Sequence, residues 1–350
     1  MHTAAAKRLI ALLFLFLFFS LPACTAEKNS FTGFAMGSVI TADIYADRET
    51  AEKIWQMADA EANRIDSLLS GTDASSEISV LNRSGSAACS AQTLDILRRS
   101  LEIGALSDGC LDLTVGAVTA LWGFAGENPS LPAAKDIADT LKTVGADHVA
   151  IDDRSGVATL SEGTQLDLGA VGKGAGADAM LDVLKKNASP AVINFGGTVL
   201  LYGRPAGRQS WTVGLRDPYG DANSYFATLT CTPGTNDGAV ILSTSGSYEK
   251  QFVFEGKSYH HILDPATGYP VETALSGVTV VSSEGLLSDA LSTACFVSGL
   301  NDSSLTLLQN ADAQAVFVFA DKSVYVTDGL ADSFRITDRD FHLIAYEERP

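Results

Sequence analysis

The feature that most limits how this chain can fold is a change of pattern at His148. Before that point apolar residues recur at helical spacing. Ile54, Ala58, Ala62, Ile65 and Leu69 share one face of a helix expected over about 49–69, which Gly71 and Asp73 break. Further helices are expected over about 91–106, ending at Asp108-Gly109, and over about 133–144 behind Pro132. A strand over 34–44, interrupted by Met36-Gly37-Ser38, precedes them. After His148 short β-rich runs take over, at 148–151, 157–160, 191–201, 211–215, 226–231, 239–242, 250–254 and 278–281. Helices at about 173–186 and 285–297 interrupt these runs. A last helix at 303–310 leads into strands 315–319 and 323–327. Without the regular β-α alternation of a doubly wound sheet, the pattern predicts an α+β fold of mixed sheets with flanking helices. There is no internal repeat and no low-complexity segment.

The N-terminus reads as an address rather than a part of the fold. Lys7 and Arg8 precede an apolar run over 9–19, followed by Ser20-Leu21-Pro22-Ala23-Cys24. The run is shorter than the roughly 20 residues that span a bilayer, and it fits the core of an export signal. A leucine three residues before a cysteine, with a small residue between, resembles the bacterial lipoprotein processing box. The resemblance implies cleavage after Ala23 and a lipid on Cys24; the alternative is an ordinary secretory signal with Cys24 as a bystander. The expected organisation is a leader over 1–23, a lipidated polar tether over 24–30 and one large catalytic unit over 31–350. The expected location is the cell membrane, facing the periplasm or the exterior.

The formal charge of −18 argues against nucleic acid as a partner, because its phosphates demand basic surface. It does not exclude a phosphate-bearing ligand, which a metal ion and backbone amides can neutralise locally. Cys89, Cys110, Cys231 and Cys295 are scattered with no C-x-x-C pair, which argues against zinc. Export would permit disulfides, and buried free thiols are the simpler reading.

Three segments carry chemistry. Asp167-Leu168-Gly169-Ala170-Val171-Gly172-Lys173-Gly174 leads from an expected strand into a helix. Its glycines allow close approach of a ligand, the helix start suits phosphate, and Lys173 adds a cation. It matches neither the P-loop nor the dinucleotide fingerprint, and it also reads as a plain glycine-rich turn. Asp289 and Thr293 are four apart, so on a helix they share a face where a carboxylate and a hydroxyl could ligate magnesium. Equally, Asp289 could satisfy helix amides. In His260-His261-Ile262-Leu263-Asp264-Pro265-Ala266-Thr267-Gly268 a turn signature follows two histidines, either of which could be a general base or could satisfy backbone groups.

Taken together and in order, these segments resemble the ApbE family, the FAD:protein FMN transferases, also described as thiamine-biosynthesis lipoproteins. The resemblance extends over about 34–296. It includes Met36-Gly37-Ser38, Ser76-Glu77-Ile78-Ser79-Val80-Leu81-Asn82, Asp112-Leu113-Thr114-Val115-Gly116 with Leu121-Trp122-Gly123-Phe124, and Asp167 to Gly174. Asn194-Phe195-Gly196-Gly197, Ser243-Thr244-Ser245-Gly246, the His261 turn and the Asp289/Thr293 pair complete it. It implies a T-fold-related unit that transfers FMN from FAD to a threonine or serine of an exported or membrane-bound flavoprotein, releasing AMP. FAD contacts would fall on Met36, Thr72, Cys110, Leu111, Asp112, Asp167, Lys173 and Leu263. Magnesium would fall on the carbonyl of Ala170 with Asp289 and Thr293, and Asp289 or His261 would act on the acceptor hydroxyl. The chain departs from the family at Thr72, where a tyrosine that can stack is usual, and at Thr198 and Ala266. Two rival readings share the site: an FAD pyrophosphatase that uses water as acceptor, and a flavin-binding lipoprotein without chemistry.

Overall fold

The computed structural model describes residues 27–350 except 125, 127, 205, 206, 222 and 235–237. The leader and Cys24 lie outside the described residues. A nine-stranded sheet forms the centre, in the order β1 (Lys28–Ala35), β2 (Ser38–Tyr45), β6 (Ala191–Phe195), β7 (Thr198–Tyr202), β10 (Ala239–Gly246), β13 (Leu275–Ser282), β14 (Gln314–Phe319), β15 (Ser323–Val326) and β17 (His342–Leu343). Neighbours are antiparallel except β15 and β17. Smaller sheets pair β3 (Ser86–Ala88), β5 (Val157–Leu160) and β4 (Val149–Asp152); β16 (Phe334–Ile336), β9 (Tyr225–Cys231) and β8 (Trp211–Arg216); and β11 (Gln251–Phe254) with β12 (Lys257–His260).

The middle strands of the large sheet are covered on both faces, and β7 and β10 send apolar side chains to both sides. Leu200 and Ile241 enter one core with α1 (Arg48–Leu69) and α6 (Gly172–Asn187). Their neighbours Leu201 and Leu242 point the other way, into a core with Trp211, Phe226 and Leu229 of the β8–β9 sheet. Helix α1 packs on α6, α6 on α7 (Gly285–Ser298), and α7 on β10 and β13. The remaining helices are α2 (Glu77–Ser84), α3 (Ala91–Leu106), α4 (Gly116–Trp122), α5 (Ala134–Thr140) and α8 (Asp302–Asn310). Among the described residues no helix is long and apolar enough to cross a membrane.

The α+β expectation holds, and α1 forms as its apolar spacing requires. All five stripe residues are buried, and the Asp47 side chain caps the first turn by accepting the Thr50 N–H at 3.0 Å. Three local readings need correction. The interrupted strand over 34–44 is a hairpin, β1 and β2 turning at Met36-Gly37. Residues 28–30, expected in a polar tether, open β1 instead: Lys28 Nζ and Ser30 Oγ donate to Asp43 at 3.0 and 2.6 Å. The run over 191–201 is likewise two strands, parted by Gly196 and Gly197 at positive φ. The four cysteines of the body are free thiols, Cys231 and Cys295 fully buried.

Candidate functional site

The site is organised by the crossing of two helix starts. A Cβ on Gly174 would lie 2.2 Å from the carbonyl oxygen of Gly285, and one on Gly285 would lie 2.3 Å from that of Gly174. Only glycine at both positions lets α6 and α7 meet backbone to backbone. The helices then cap one another. Asp178 of α6 accepts the N–H groups of Gly285 and Leu286 at 2.6 and 2.9 Å, while Asp289 of α7 accepts the Gly174 N–H at 2.9 Å through Oδ2. Gly174 is the third residue of α6, so its N–H is one of the helix-start donors with no carbonyl partner inside the helix. Asp289 satisfies that donor, and Ala170 lies just ahead of the helix, outside its hydrogen-bond ladder.

Asp289 is 3% exposed, and burial pushes its carboxyl above the usual carboxylate range against the pull of Lys173 and the Gly174 N–H. Lys173 Nζ stands 3.7 Å from Oδ1, an ion pair too long to be a hydrogen bond. A buried carboxylate so incompletely matched favours a further cation. One turn on, Thr293 Oγ1 lies 3.1 Å from Ser245 Oγ and 3.5 Å from the carbonyl of Asp289. Among the described residues no three His, Cys, Asp or Glu side chains converge as a metal cluster. The candidate donors, the Asp289 carboxylate, the Thr293 hydroxyl and the Ala170 carbonyl, are all hard oxygens, the chemistry that magnesium retaining several waters takes.

The β1–β2 hairpin leans on this junction. Met36 and Gly37 both have positive φ, 48° and 66°, a two-residue turn in which a side chain at the first position is strained. The Met36 N–H donates to Asp66 Oδ2 at 2.7 Å, and the thioether lies within 3.5 Å of where Cβ atoms on Gly172 and Gly176 would be. Opposite it, a Cβ on Gly196 would meet Ser38 Oγ at 2.5 Å and Lys173 Cδ at 3.4 Å. The Gly196-Gly197 turn is therefore pressed between Ser38 and the lysine.

Of the other expected flavin contacts, Asp112 and Asp167 sit on adjoining segments, joined by the Asp167 N–H to the Leu113 carbonyl at 2.7 Å. Each carboxylate holds its own turn: Asp112 accepts from the Thr114 N–H and hydroxyl, Asp167 from the Gly169 N–H. Leu111 is buried, and Cys110 is half-buried with its thiol pushed up by desolvation, beside Ser298 and Asp264. Leu263 packs with Val118, Trp122 and Phe124, and Trp122 Nε1 fixes the following turn by donating to the Gly268 carbonyl at 2.8 Å. Thr72 is exposed in the loop after α1, its hydroxyl 3.2 Å from Ser70 Oγ; no contact described for it reaches the α6–α7 junction.

His261 and His260 separate clearly. The His261 N–H donates to the Lys250 carbonyl at 3.0 Å, but its Nδ1 is buried without a hydrogen-bond partner among the described residues. Burial first, then Lys250, His260 and Lys173, lower its pKa to about 4, so the ring is neutral at physiological pH. His260 instead approaches the Val271 carbonyl at 3.2 Å through Nε2 and packs edge-on against Phe296. Asp178, Gly285 and Asp66 have no counterpart in the sequence reading. Gly285 heading an apolar helix was the available signal; the two aspartates gave none, since their partners are remote in sequence.

The comparisons accord with this geometry. The ApbE family model matches residues 36–317. The FAD:protein FMN transferase of Klebsiella pneumoniae (strain 342) is 30% identical over 321 residues, covering 90% of this chain and 96% of that one. The transferase of the same description from Treponema pallidum (strain Nichols) is 32% identical over 270 residues, 71% of each chain. Among solved structures, the ApbE protein of Thermotoga maritima superposes with a TM-score of 0.80 at 28% identity, over 88% of this chain and 100% of that one. The apo form of Pseudomonas stutzeri flavinyl transferase ApbE gives 0.75 at 26% identity, over 88% and 96%. The chain belongs to the ApbE family.

Proposed function

We propose that this ApbE-family enzyme transfers FMN from FAD to a threonine or serine hydroxyl of an exported or membrane-bound acceptor flavoprotein. In the reaction the acceptor oxygen forms a bond to the FMN phosphorus and the bond from that phosphorus to the bridging oxygen breaks. AMP leaves with the bridging oxygen, and the hydroxyl proton passes to a base. The observation that carries the reading is the placement of Asp289, buried, capping the start of α6 and facing Lys173.

Asp289, Thr293 and the Ala170 carbonyl would hold magnesium, which when bound neutralises pyrophosphate charge and eases departure of AMP. Lys173 and the α6 start add fixed positive charge for the same oxygens. Met36 and Leu263, with the stretch from Cys110 to Asp112 and with Asp167, would receive the rest of FAD; Thr72 would contribute no ring to stack on it. His261 would offer a neutral imidazole, its buried Nδ1 without a hydrogen-bond partner among the described residues, to take the proton. Its low basicity reflects burial first and nearby cations second, and pyrophosphate beside Lys173 would offset part of the latter. A lipid on Cys24 would keep the enzyme at the membrane with its acceptors.

The test is to incubate a candidate acceptor protein with the enzyme, FAD and magnesium and to analyse it by mass spectrometry. The expected product is acceptor carrying FMN, with AMP in equal amount. Free FMN as the dominant product in excess acceptor would replace transfer by hydrolysis, and unchanged FAD would leave only a binding protein.

A further inference from the structure

Behind Thr293 runs a chain of hydroxyls whose hydrogens can be counted. Ser245 lies on β10 and Ser292 on α7, and their Oγ atoms are 2.8 Å apart. Ser292 Oγ donates to the carbonyl of Asp289 at 2.8 Å, which uses its only hydrogen. Ser292 can therefore only accept from Ser245. Ser245, its hydrogen spent on Ser292, can only accept from Thr293, whose Oγ1 is 3.1 Å away. The competing acceptor for the Thr293 hydrogen is the same Asp289 carbonyl at 3.5 Å, a longer and weaker contact than the 3.1 Å to Ser245. The direction of the chain is thus Thr293 to Ser245 to Ser292 to the backbone.

The same construction occurs one helical turn earlier. Ser288 Oγ donates to the carbonyl of Gly285 at 3.0 Å, Ser243 stands 2.9 Å from Ser288, and Thr198 stands 3.1 Å from Ser243. Residues 243 and 245 share a face of the strand, and 288 and 292 share a face of the helix, so the two relays are parallel. The first ends in a fully buried threonine, whereas the second ends in the half-buried Thr293 beside Asp289.

We propose that Ser245 is a positioning residue for the metal-binding hydroxyl: it takes the Thr293 hydrogen into the protein and so turns the lone pairs of Oγ1 toward the cation. This rests on Thr293 as a magnesium ligand. A hydroxyl ligates through its oxygen lone pairs and must keep its hydrogen out of the way, and partners that orient a ligand in this manner are worth about 10–100-fold in metal affinity.

The test measures metal affinity directly, by titrating the full-length protein with manganese followed by electron paramagnetic resonance and with magnesium by calorimetry. Ser245→Ala is expected to weaken binding by about 10–100-fold. Ser245→Thr keeps the oxygen and is expected to restore most of it. Ser292→Ala is expected to weaken binding as well, because the Ser245 hydrogen then turns back on Thr293. Thr293→Ala is the reference. If it lowers affinity while Ser245→Ala does not, the positioning role is overturned and the metal site stands. If Thr293→Ala binds metal as the wild type does, the site itself is misassigned and the proposal falls with it. Thermal melts of each variant identify any that fail to fold, and for such a variant Ser245→Cys, with its weak and longer-reaching hydrogen bonds, is titrated instead, with intermediate affinity expected and wild-type affinity contradicting the proposal.

Discussion

Asp178 and Asp289 each cap the helix that the other belongs to. Asp178, in the second turn of α6, takes two N–H groups from the start of α7, and Asp289, in the second turn of α7, takes one from the start of α6. Burial raises the pKa of both carboxyls, yet they are not equivalent. Asp178 is satisfied by two amides and the nearby Arg99, so its role ends with holding α7 in place. Asp289 has one amide and a distant lysine, which leaves it an oxygen to offer a ligand.

That difference sets the outcome of Asp289→Asn. Asparagine can still accept the Gly174 N–H but carries no charge. A carboxyl whose folded pKa is raised favours folding fully only below its unfolded value, near 3.9, and that contribution is lost as pH rises through the folded value. Ionising the buried Asp289 therefore costs stability in the metal-free protein. Asp289→Asn is expected to melt at or above the wild-type temperature without metal, and to lose transfer by about three orders of magnitude, since the cation's contribution is several kcal/mol. A lower melting temperature in metal-free buffer would contradict this account of Asp289.

Gly174→Ala tests the crossing itself. The new methyl would meet the Gly285 carbonyl oxygen at 2.2 Å, and that oxygen belongs to the backbone, which cannot swing aside. Overpacking of this kind is expected to cost about 3 kcal/mol. Denaturant unfolding gives the value. A cost below 1 kcal/mol would mean that the two helices part easily and that the reciprocal caps are weak.

Cys24→Ser is expected to leave transfer intact in vitro and to release the protein from the membrane fraction. A single acyl chain anchors only marginally, so firm attachment requires more than one. Retention of the variant in washed membranes would remove the lipid from the account.

The longer helices and most strands of the large sheet were legible because their signals are local, whereas the eight-residue α2 was not recognised. The α1 stripe repeats every three to four residues, and β13 carries the β-branched run Val278-Thr279-Val280-Val281 in a strand buried almost throughout. The hairpin at Met36-Gly37 was obscured because methionine occupies a turn position that asparagine or glycine normally marks. Helix α4 is seven residues long with no side-chain cap at Val115, too short for a periodicity to show. The Asp289/Thr293 pair was visible as an i, i+4 spacing. Its supports were not, because Asp178 lies 107 residues from Gly285 and Ser245 lies 48 from Thr293.

His261 joins the local chemistry to pH. Its imidazole pKa is depressed from the ordinary 6.5 to about 4, chiefly by burial. A histidine depressed in the folded state contributes stability fully above its unfolded value, and that stability is lost as pH falls through the folded one. The window is therefore pH 6.5 down to about 4, and at about 1.4 kcal/mol per unit the loss is at most about 3 kcal/mol. His261→Gln cannot titrate there, so its unfolding free energy is expected to fall less steeply across that window than the wild type's. The same variant lacks a base. Transfer at neutral pH is expected to slow by about 10²–10⁴-fold, the range for a lost general base. The two readouts separate the assignments. Altered pH dependence of stability with a wild-type transfer rate would leave His261 a buried structural ring and move the base to a carboxylate, with Asp289 the first to test. A slowed rate with unaltered pH dependence would mean that the ring is not buried as described.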